Sequence, residues 1–242
     1  MFKYFIRGVN SMYNVSTKQK IYETAKLLFI EEGYAVGSRK IANEAGVNQG
    51  LITYYFQNKK NIAMMVLKES FEIIATHIKY FVDPKKDILL FLLIFSKVVS
   101  TPSINSSGYI RFVIEISKEN LIEESVRFGN NQTEYYRRLV KEIMPPNGKC
   151  LDMNISIFLG IVFGIQRNLI LRLVEDVDFS QEELFDIFFG AFLWALNLDY
   201  TDGEILQLRQ KVDEITAVLY KNYPDLKKPE IYLFQEKKLK NL

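Results

Sequence analysis

The chain has 242 residues, of which 48% are hydrophobic and 25% charged, values of a globular protein with a sizeable core and not of a disordered or collagen-like one. Its 12 glycines and 6 prolines supply too little turn chemistry for a barrel or sandwich of many short strands, so an all-α fold is expected. The net charge of +2 hides a segregation: residues 1–60 hold nine basic groups against four acids, a net of +5, while residues 61–226 sum to −6, which suits a basic head that approaches a polyanion.

Residues 1–15 carry basic groups but no apolar run of signal-peptide length and read as an N-terminal extension, with Met12 an alternative start. From Thr17 the pattern turns helical. Ile21, Ala25, Leu28 and Phe29 share one face of a 3.6-residue helix, with Ser16 or Thr17 as N-cap and Gly33 as the stop. A short helix follows over about Ser38 to Ala45, ended by Gly46, and another over about Gln49 to Tyr55 with Asn48 as N-cap. A long helix starts near Lys59, carries Ile62, Met65, Val66, Ile73, Ile74 and Ile78 on its apolar side, and ends before Asp83-Pro84. His77, the single histidine, lies near its end and reads as a core residue. Pro84 is expected to open the next helix.

The remaining pattern predicts helices over about Lys85 to Ser100, Gly108 to Lys118, Asn131 to Met144, Asp152 to Glu175, Gln181 to Leu198 and Asp202 to Asn222. The breaks fall at Thr101-Pro102, at Pro145 to Gly148 and at Tyr223-Pro224. Gly160 and Gly164 lower helix propensity by about 1 kcal/mol each or permit close helix approach. The longest uncharged apolar-rich stretches, 153–166 and 187–198, fall short of the roughly 20 residues needed to span a bilayer, so no integral membrane association is expected. Cys150 has no second cysteine to pair with, and one histidine supplies no His-rich metal cluster. No cofactor or metal site and a reducing cytoplasm follow as expectations.

Residues 17–62 hold the most informative string, TKQKIYETAKLLFIEEGYAVGSRKIANEAGVNQGLITYYFQNKKNI. Three helices, alanines inside the second (Ala42, Ala45), a Gly46-Val47 turn and a short polar-aromatic third helix are helix-turn-helix chemistry. Gly46 tolerates the left-handed backbone of a sharp turn, and Ile41, Ala45, Val47, Ile52 and Phe56 lock the pair together. The second helix of that pair then fits a DNA major groove.

The same string closely resembles the N-terminal domain of TetR-family transcriptional regulators through A-x-x-L-F-x-x-x-G-Y (Ala25 to Tyr34), I-A-x-x-A-G-V (Ile41 to Val47) and Y-F-x-N-K (Tyr55 to Lys59). It departs from that pattern in a Gly33 to Ile41 connection one residue shorter than usual, in Gly37 where a capping Thr is common, and in Thr53 where Tyr is frequent. These departures bear on the cap of the second helix and on base preference and leave the fold expectation intact. Within the resemblance, Asn48 and Gln49 contact phosphate or read adenine, Gly50 lets the backbone come close to DNA, and Thr53 reads a base edge or thymine methyl. Tyr54 and Tyr55 hold phosphates, Lys59 adds charge beside backbone N–H groups, and Ser38 and Arg39 reach phosphate or a guanine edge.

Such a head reads about 4 or 5 base pairs, so a two-fold dimer on a palindromic operator is expected. The resemblance implies a dimer bundle from the last long core helices, here about 152–175 and 181–198. Phe185, Phe188, Phe189, Phe192, Leu193 and Leu196 cover more than one helix face there. It also implies a cavity between the long helix and the core for a small-molecule effector, apolar or aromatic, whose binding changes DNA affinity. Phe91, Phe95, Tyr109, Phe112, Tyr135, Phe158, Phe163 and Trp194 are aromatic candidates for its lining, with Phe95, Phe112, Tyr135, Phe163, Arg167 and Trp194 the set taken as ligand-binding. Arg167, which interrupts an apolar helix, takes an acidic ligand, an interface carboxylate or a solvent-facing position.

The expected organisation is an extension over 1–15, the helix-turn-helix domain over 16–62, an effector and dimerisation domain over 63–224 and a basic tail over 225–242. The expected function is a ligand-responsive dimeric repressor. A helical interaction or membrane-surface module, prompted by the Lys-rich tail, is the alternative. An enzyme is disfavoured by the absence of a glycine-rich phosphate loop, metal-ligand spacing or paired carboxylates.

Overall fold

The computed structural model describes residues 16–100, 107–127, 131–143, 151–172 and 180–227. The extension over 1–15, the proline breaks after Ser100 and Met144, Cys150 and the basic tail beyond Lys227 lie outside the described residues. All regular structure among these is helical: α1 Thr17–Glu32, α2 Ser38–Glu44, α3 Gly50–Phe56, α4 Lys59–Ile78, α5 Ile88–Ser100, α6 Ser107–Lys118, α7 Leu121–Arg127, α8 Asn131–Ile143, α9 Leu151–Arg172, α10 Gln181–Ala195 and α11 Asp202–Asn222. A 3-10 turn, Pro224–Lys227, follows α11.

The helix starts follow the capping chemistry of the sequence. Ser16 Oγ accepts from the Gln19 N–H at 3.2 Å, and Asn58 Oδ1 accepts from the Asn61 N–H at 2.9 Å. Ser180 with Glu183 and Thr201 with Glu204 form reciprocal capping boxes at the starts of α10 and α11. Those bonds hold both glutamates below their usual carboxylate range.

Three expectations change. The long helix stops at Ile78 rather than reaching Asp83, and Met65, placed on its apolar side by spacing, is exposed. Pro84 opens no helix: Asp83 Oδ1 accepts from the Lys85 N–H at 2.9 Å in a turn, and α5 starts at Ile88 with Asp87 Oδ1 accepting from the Leu90 N–H at 3.0 Å. Helix α7 had no counterpart in the predicted set. It starts after Asn120, whose φ of 57° turns the chain sharply at the end of α6.

Helix α5 is the hub of the body, buried over Ile88 to Val98 and packed against α4, α8, α10 and α11. A helix apolar on all sides has to be enclosed on all sides. Its one cation, Lys97, is 7% exposed and reaches Glu182 Oε2 at 2.8 Å and Asp213 Oδ1 at 2.5 Å. Arg209 joins the same cluster through Glu182 at 2.8 Å, Asp186 at 2.7 Å and Asp213. Both cations also face the Phe185 ring, Lys97 at 5.1 Å and Arg209 at 4.8 Å from its centre. This cluster ties α5, α10 and α11 together. Partial burial pushes the Glu182 pKa up, but bonds from Lys97 and Arg209 outweigh it and leave the group below its usual value.

Between head and body the equivalent tie is Lys26. Its ammonium is on α1, 2% exposed, and bonds Glu69 Oε1 of α4 at 2.7 Å, while the Tyr22 hydroxyl donates to the other oxygen of the same carboxylate. Burying an ammonium is costly without such a partner.

Two predictions follow from these ties. Glu69→Ala strips Lys26 of its carboxylate and is expected to destabilise the fold by about 3 kcal/mol, read from urea unfolding, with Lys26→Met restoring part of the loss in the double variant. Because the Glu182 pKa is depressed on folding, its contribution is present above the unfolded value near 4.5 and is lost as pH falls through the lower folded value. Glu182→Gln is therefore expected to flatten the fall of stability below about pH 5, measured as unfolding midpoints against pH.

Candidate nucleic-acid interface

Helices α1 to α3 enclose their own small core of Ile21, Ala25, Phe29, Ile41, Ala42, Ala45, Ile52 and Phe56, all at most 4% exposed. The turn between α2 and α3 depends on Gly46, at φ 61°. Its N–H donates to Asn43 O at 3.0 Å, and the Val47 N–H donates to Ala42 O at 2.9 Å. A side chain here costs about 1–2 kcal/mol in the left-handed region. Gly37 precedes α2 with an ordinary φ of −77° and gives the helix no side-chain cap, as its place in the sequence implies.

The turn pushes one edge of α3 into solvent. Asn48, Gln49, Gly50, Thr53 and Tyr54 are exposed together, Tyr54 at 77%, and Arg39 is exposed on α2 beside a partly exposed Ser38. Asn48 does not occupy the cap position itself; its Oδ1 accepts from the Gly50 N–H at 2.8 Å, which fixes the entry of α3. Tyr55 is half-buried on the head core and meets Tyr54 edge-on at 4.9 Å between ring centres, so Tyr54 presents the freer hydroxyl.

Lys59 is a different case. Its Nζ donates to Tyr34 O at 2.5 Å and Val36 O at 3.1 Å and sits 4.0 Å over the Tyr34 ring. Burial lowers its pKa, with Glu119 and Glu115 opposing. The ammonium expected to add charge at the interface instead holds the α1–α2 connection onto the start of α4. Tyr34 is held in turn: burial first, then the Glu119 carboxylate that its hydroxyl bonds, push its pKa up to about 12.

Two cations that spacing had not singled out take the outward role. Lys20 is exposed on α1 with its Nζ 3.6 Å from where a Gly46 side chain would start, and Lys18, also exposed, lies 5.8 Å from the Phe56 ring centre. Their signal in the sequence was only the positive sum of the head. Lys40, by contrast, is paired with Glu32 at 2.5 Å.

Comparison with known proteins bears on this same unit. Residues 21–63 match the family model of bacterial regulatory proteins of the tetR family. The chain is 42% identical over 59 residues to a probable HTH-type transcriptional regulator, YttP, of Bacillus subtilis (strain 168), and 33% identical over 67 residues to an HTH-type transcriptional regulator of Staphylococcus aureus (strain USA300). The chain carries the DNA-binding domain of the TetR family. The aligned stretches cover 24% and 27% of this chain and only 28% and 36% of those two proteins. A solved structure of a putative tetR family transcription regulator from Shewanella sp. PV-4 is 18% identical, covers 74% of this chain and 97% of that one, and has a TM-score of 0.45.

Beyond the TetR-type domain, the residues taken as ligand-binding lie in several parts of the body. Phe95 is buried against Phe71 at 5.6 Å between ring centres, Phe112 stacks on Phe29 at 5.5 Å, and Tyr135 meets Phe91 at 5.0 Å. Trp194 is 74% exposed on α10. Phe163 and Arg167 do share a cleft of about 90 Å³, between α9 and the α6–α7 corner, with Ser117, Asn120, Ile122 and Glu123. His77 is half-buried, its Nδ1 2.7 Å from Ile73 O and its ring 4.4 Å from that of Tyr223, in keeping with a packing role.

The geometry separates outward from inward cations by their variants. Lys20→Ala is expected to weaken duplex binding evenly across sequences and to reduce the slope of log affinity against log salt by about one. Lys59→Ala should instead lower the unfolding midpoint and leave that slope unchanged, and Gln49→Ala or Thr53→Ala should relax base preference by about 1–3 kcal/mol at one position of the site.

Proposed function

We propose that the chain is a ligand-responsive, dimeric transcriptional repressor that binds a palindromic operator through α3 and works in the cytoplasm. The observation that carries the DNA-binding part is the exposed edge of α3 (Gln49, Gly50, Thr53, Tyr54) on a TetR-type domain, next to the exposed Lys18 and Lys20 of α1. Asn48, Gln49, Thr53 and Arg39 supply base or phosphate contacts, Gly50 a close backbone approach, and Tyr54, Ser38 and Tyr55 hydroxyls at the flank. One such head covers too few base pairs for selectivity, which is the physical reason for two.

The dimer reading is supported by the outer faces of α9 and α10. The phenylalanines first taken as surplus for an interface, Phe185, Phe188, Phe189 and Phe192, are buried inside the chain with Leu193 and Leu196. What remains outside is a second apolar stripe: Met153, Ile157 and Gly160 on α9, and Ile187, Gly190 and Trp194 on α10, all exposed. A Cβ built on Gly160 or Gly190 meets nothing within 4 Å, so no contact inside the chain requires glycine there. Glycine costs about 1 kcal/mol in a helix interior, and close approach of a second copy is what it favours. Helix α9 is also long and apolar enough by length and composition to cross a membrane, but its inner face packs on α6, α7, α8 and α10 and its last turns carry Gln166, Arg167 and Asn168.

The test joins mass in solution to duplex binding. The protein is expected to run as a dimer by light scattering and to select fragments of its own upstream region over competitor DNA, with affinity falling as salt rises. Trp194→Glu should yield a folded monomer by circular dichroism with operator affinity reduced roughly 10²-fold through lost bivalency. Because Trp194 is the single tryptophan, its emission should shift to the blue on dimerisation. A wild-type monomer sinks the dimer, and binding without sequence preference sinks the regulator.

A further inference from the structure

We propose that the cleft at the α6–α7 corner is the effector site and that it takes a small monocarboxylate, the acid group on Arg167 and a short hydrocarbon tail against Phe163 and Ile122. The effector role rests on the ligand-responsive reading above; the binding chemistry stands on the cleft alone. Arg167 adds an acid-binding group to the apolar or aromatic effector expected from the sequence.

The arginine is built in place. Arg167 Nε donates to Ser117 O at 2.9 Å, across the gap between α9 and the end of α6. Among the described residues its two terminal amino groups make no hydrogen bond, so the guanidinium is anchored by one edge and offers the other. A planar pair of N–H donors matches the two oxygens of a carboxylate and is worth more in a partly enclosed site than in water. The one acidic neighbour on the lining, Glu123, is already paired with Arg127 Nε at 2.7 Å, so the cleft keeps a positive balance. Asn120 adds an amide at the rim, held by its left-handed backbone. The lining is apolar beside it, with Phe163, one turn before Arg167 on α9, and Ile122 of α7 largely buried. The volume of about 90 Å³, against about 10–15 Å³ needed for a single water, suits a short-chain acid.

The same corner grips the reading head. Between Ser117 and Asn120 lies Glu119, whose carboxylate accepts from the Tyr34 hydroxyl in the α1–α2 connection. One turn further, Glu124 of α7 pairs with Lys60 at the start of α4 at 2.6 Å. A ligand that draws Arg167 away from Ser117 O, or pulls Asn120 inward, acts on a segment whose next residues hold the head. The site and the head share one short stretch of chain, which gives the ligand a differential effect on head position.

The test measures binding of butyrate to the full-length protein by titration calorimetry, with butyramide as the neutral isostere and inorganic phosphate as a second anion. Saturable butyrate binding at least tenfold tighter than butyramide is expected, with loss in Arg167→Gln and a several-fold loss in Asn120→Gly. The second variant keeps the fold because glycine suits the positive φ of Asn120. With duplex present, the ratio of butyrate affinities should equal the ratio of operator affinities measured with and without butyrate. Equal binding of butyramide, binding unchanged in Arg167→Gln, or phosphate bound in place of butyrate overturns the carboxylate site. Butyrate that binds but leaves operator affinity unchanged overturns the effector role. Arg167-dependent binding in a protein that selects no DNA upholds the site while the regulator reading fails, so the two failures are told apart.

Discussion

Where the reading head points is decided by the docking of α6 on the end of α1. Gly108 lies so close to that end that a Cβ would fall 2.3 Å from both Ile30 O and Glu31 O, a contact only glycine permits. One turn along, Phe112 stacks on Phe29, a residue of the head's own core, so head and body share an aromatic pair. Glu115 Oε2 then accepts from the Ala35 N–H at 2.6 Å, and the Arg111 stem covers Gly33, itself at φ 96°. The α1–α2 connection therefore has no conformation of its own to choose. Its exposed backbone groups are taken up by side chains of α6 and by Lys59, and a short connection becomes a rigid one.

Rigidity there gives the rest of the molecule leverage. Helix α4 is bound to α1 through the buried Lys26–Glu69 pair and to α7 through Lys60–Glu124, and its far end lies under Tyr223, which follows α11. Helix α11 is held on α5 and α10 by the Lys97, Arg209, Glu182, Asp186 and Asp213 cluster. These charged groups sit where helices from distant parts of the chain meet. Buried ion pairs add little net stability but tolerate few alternative partners, which makes them registers more than glue.

The head was legible because its signals are local. Ser16, Gly46 and Asn58 each act on the backbone within a few residues, and the periodic apolar positions Ile21, Ala25, Phe29, Ile41, Ala45, Ile52 and Phe56 all point inward as spacing implies. What spacing did not reveal was the direction of long flexible side chains. Lys59 sits where a phosphate contact was expected, yet its four-carbon stem reaches back to two carbonyls, and Lys18 and Lys20 face outward without any motif to mark them. Helix α7 was missed because seven residues give barely two turns, and Asn120 carries the turn that a glycine would have announced. Aromatic content marks a core as readily as a cavity, and Phe95, Phe112 and Tyr135 each pack against another ring of the body.

In helices α9 and α10 one apolar sequence pattern meets two surroundings. Apolar residues on every side of α10 describe a helix enclosed all round, but the chain covers only one side, with Phe185, Phe188, Phe189 and Phe192, and leaves Ile187 and Trp194 to solvent. An exposed tryptophan beside an uncrowded glycine destabilises nothing if it is covered by a second copy, and is a liability otherwise. On α9 the change from apolar to polar comes at Gln166, Arg167 and Asn168, one turn beyond Phe163. The outer stripe runs up to this point and the cleft opens at it. A dimer built on that stripe and a ligand held by Arg167 therefore act on the same helix. On the proposed reading, the α6–α7 corner on its inner side would carry the effect to Tyr34 and Lys60, and so to the orientation of both heads.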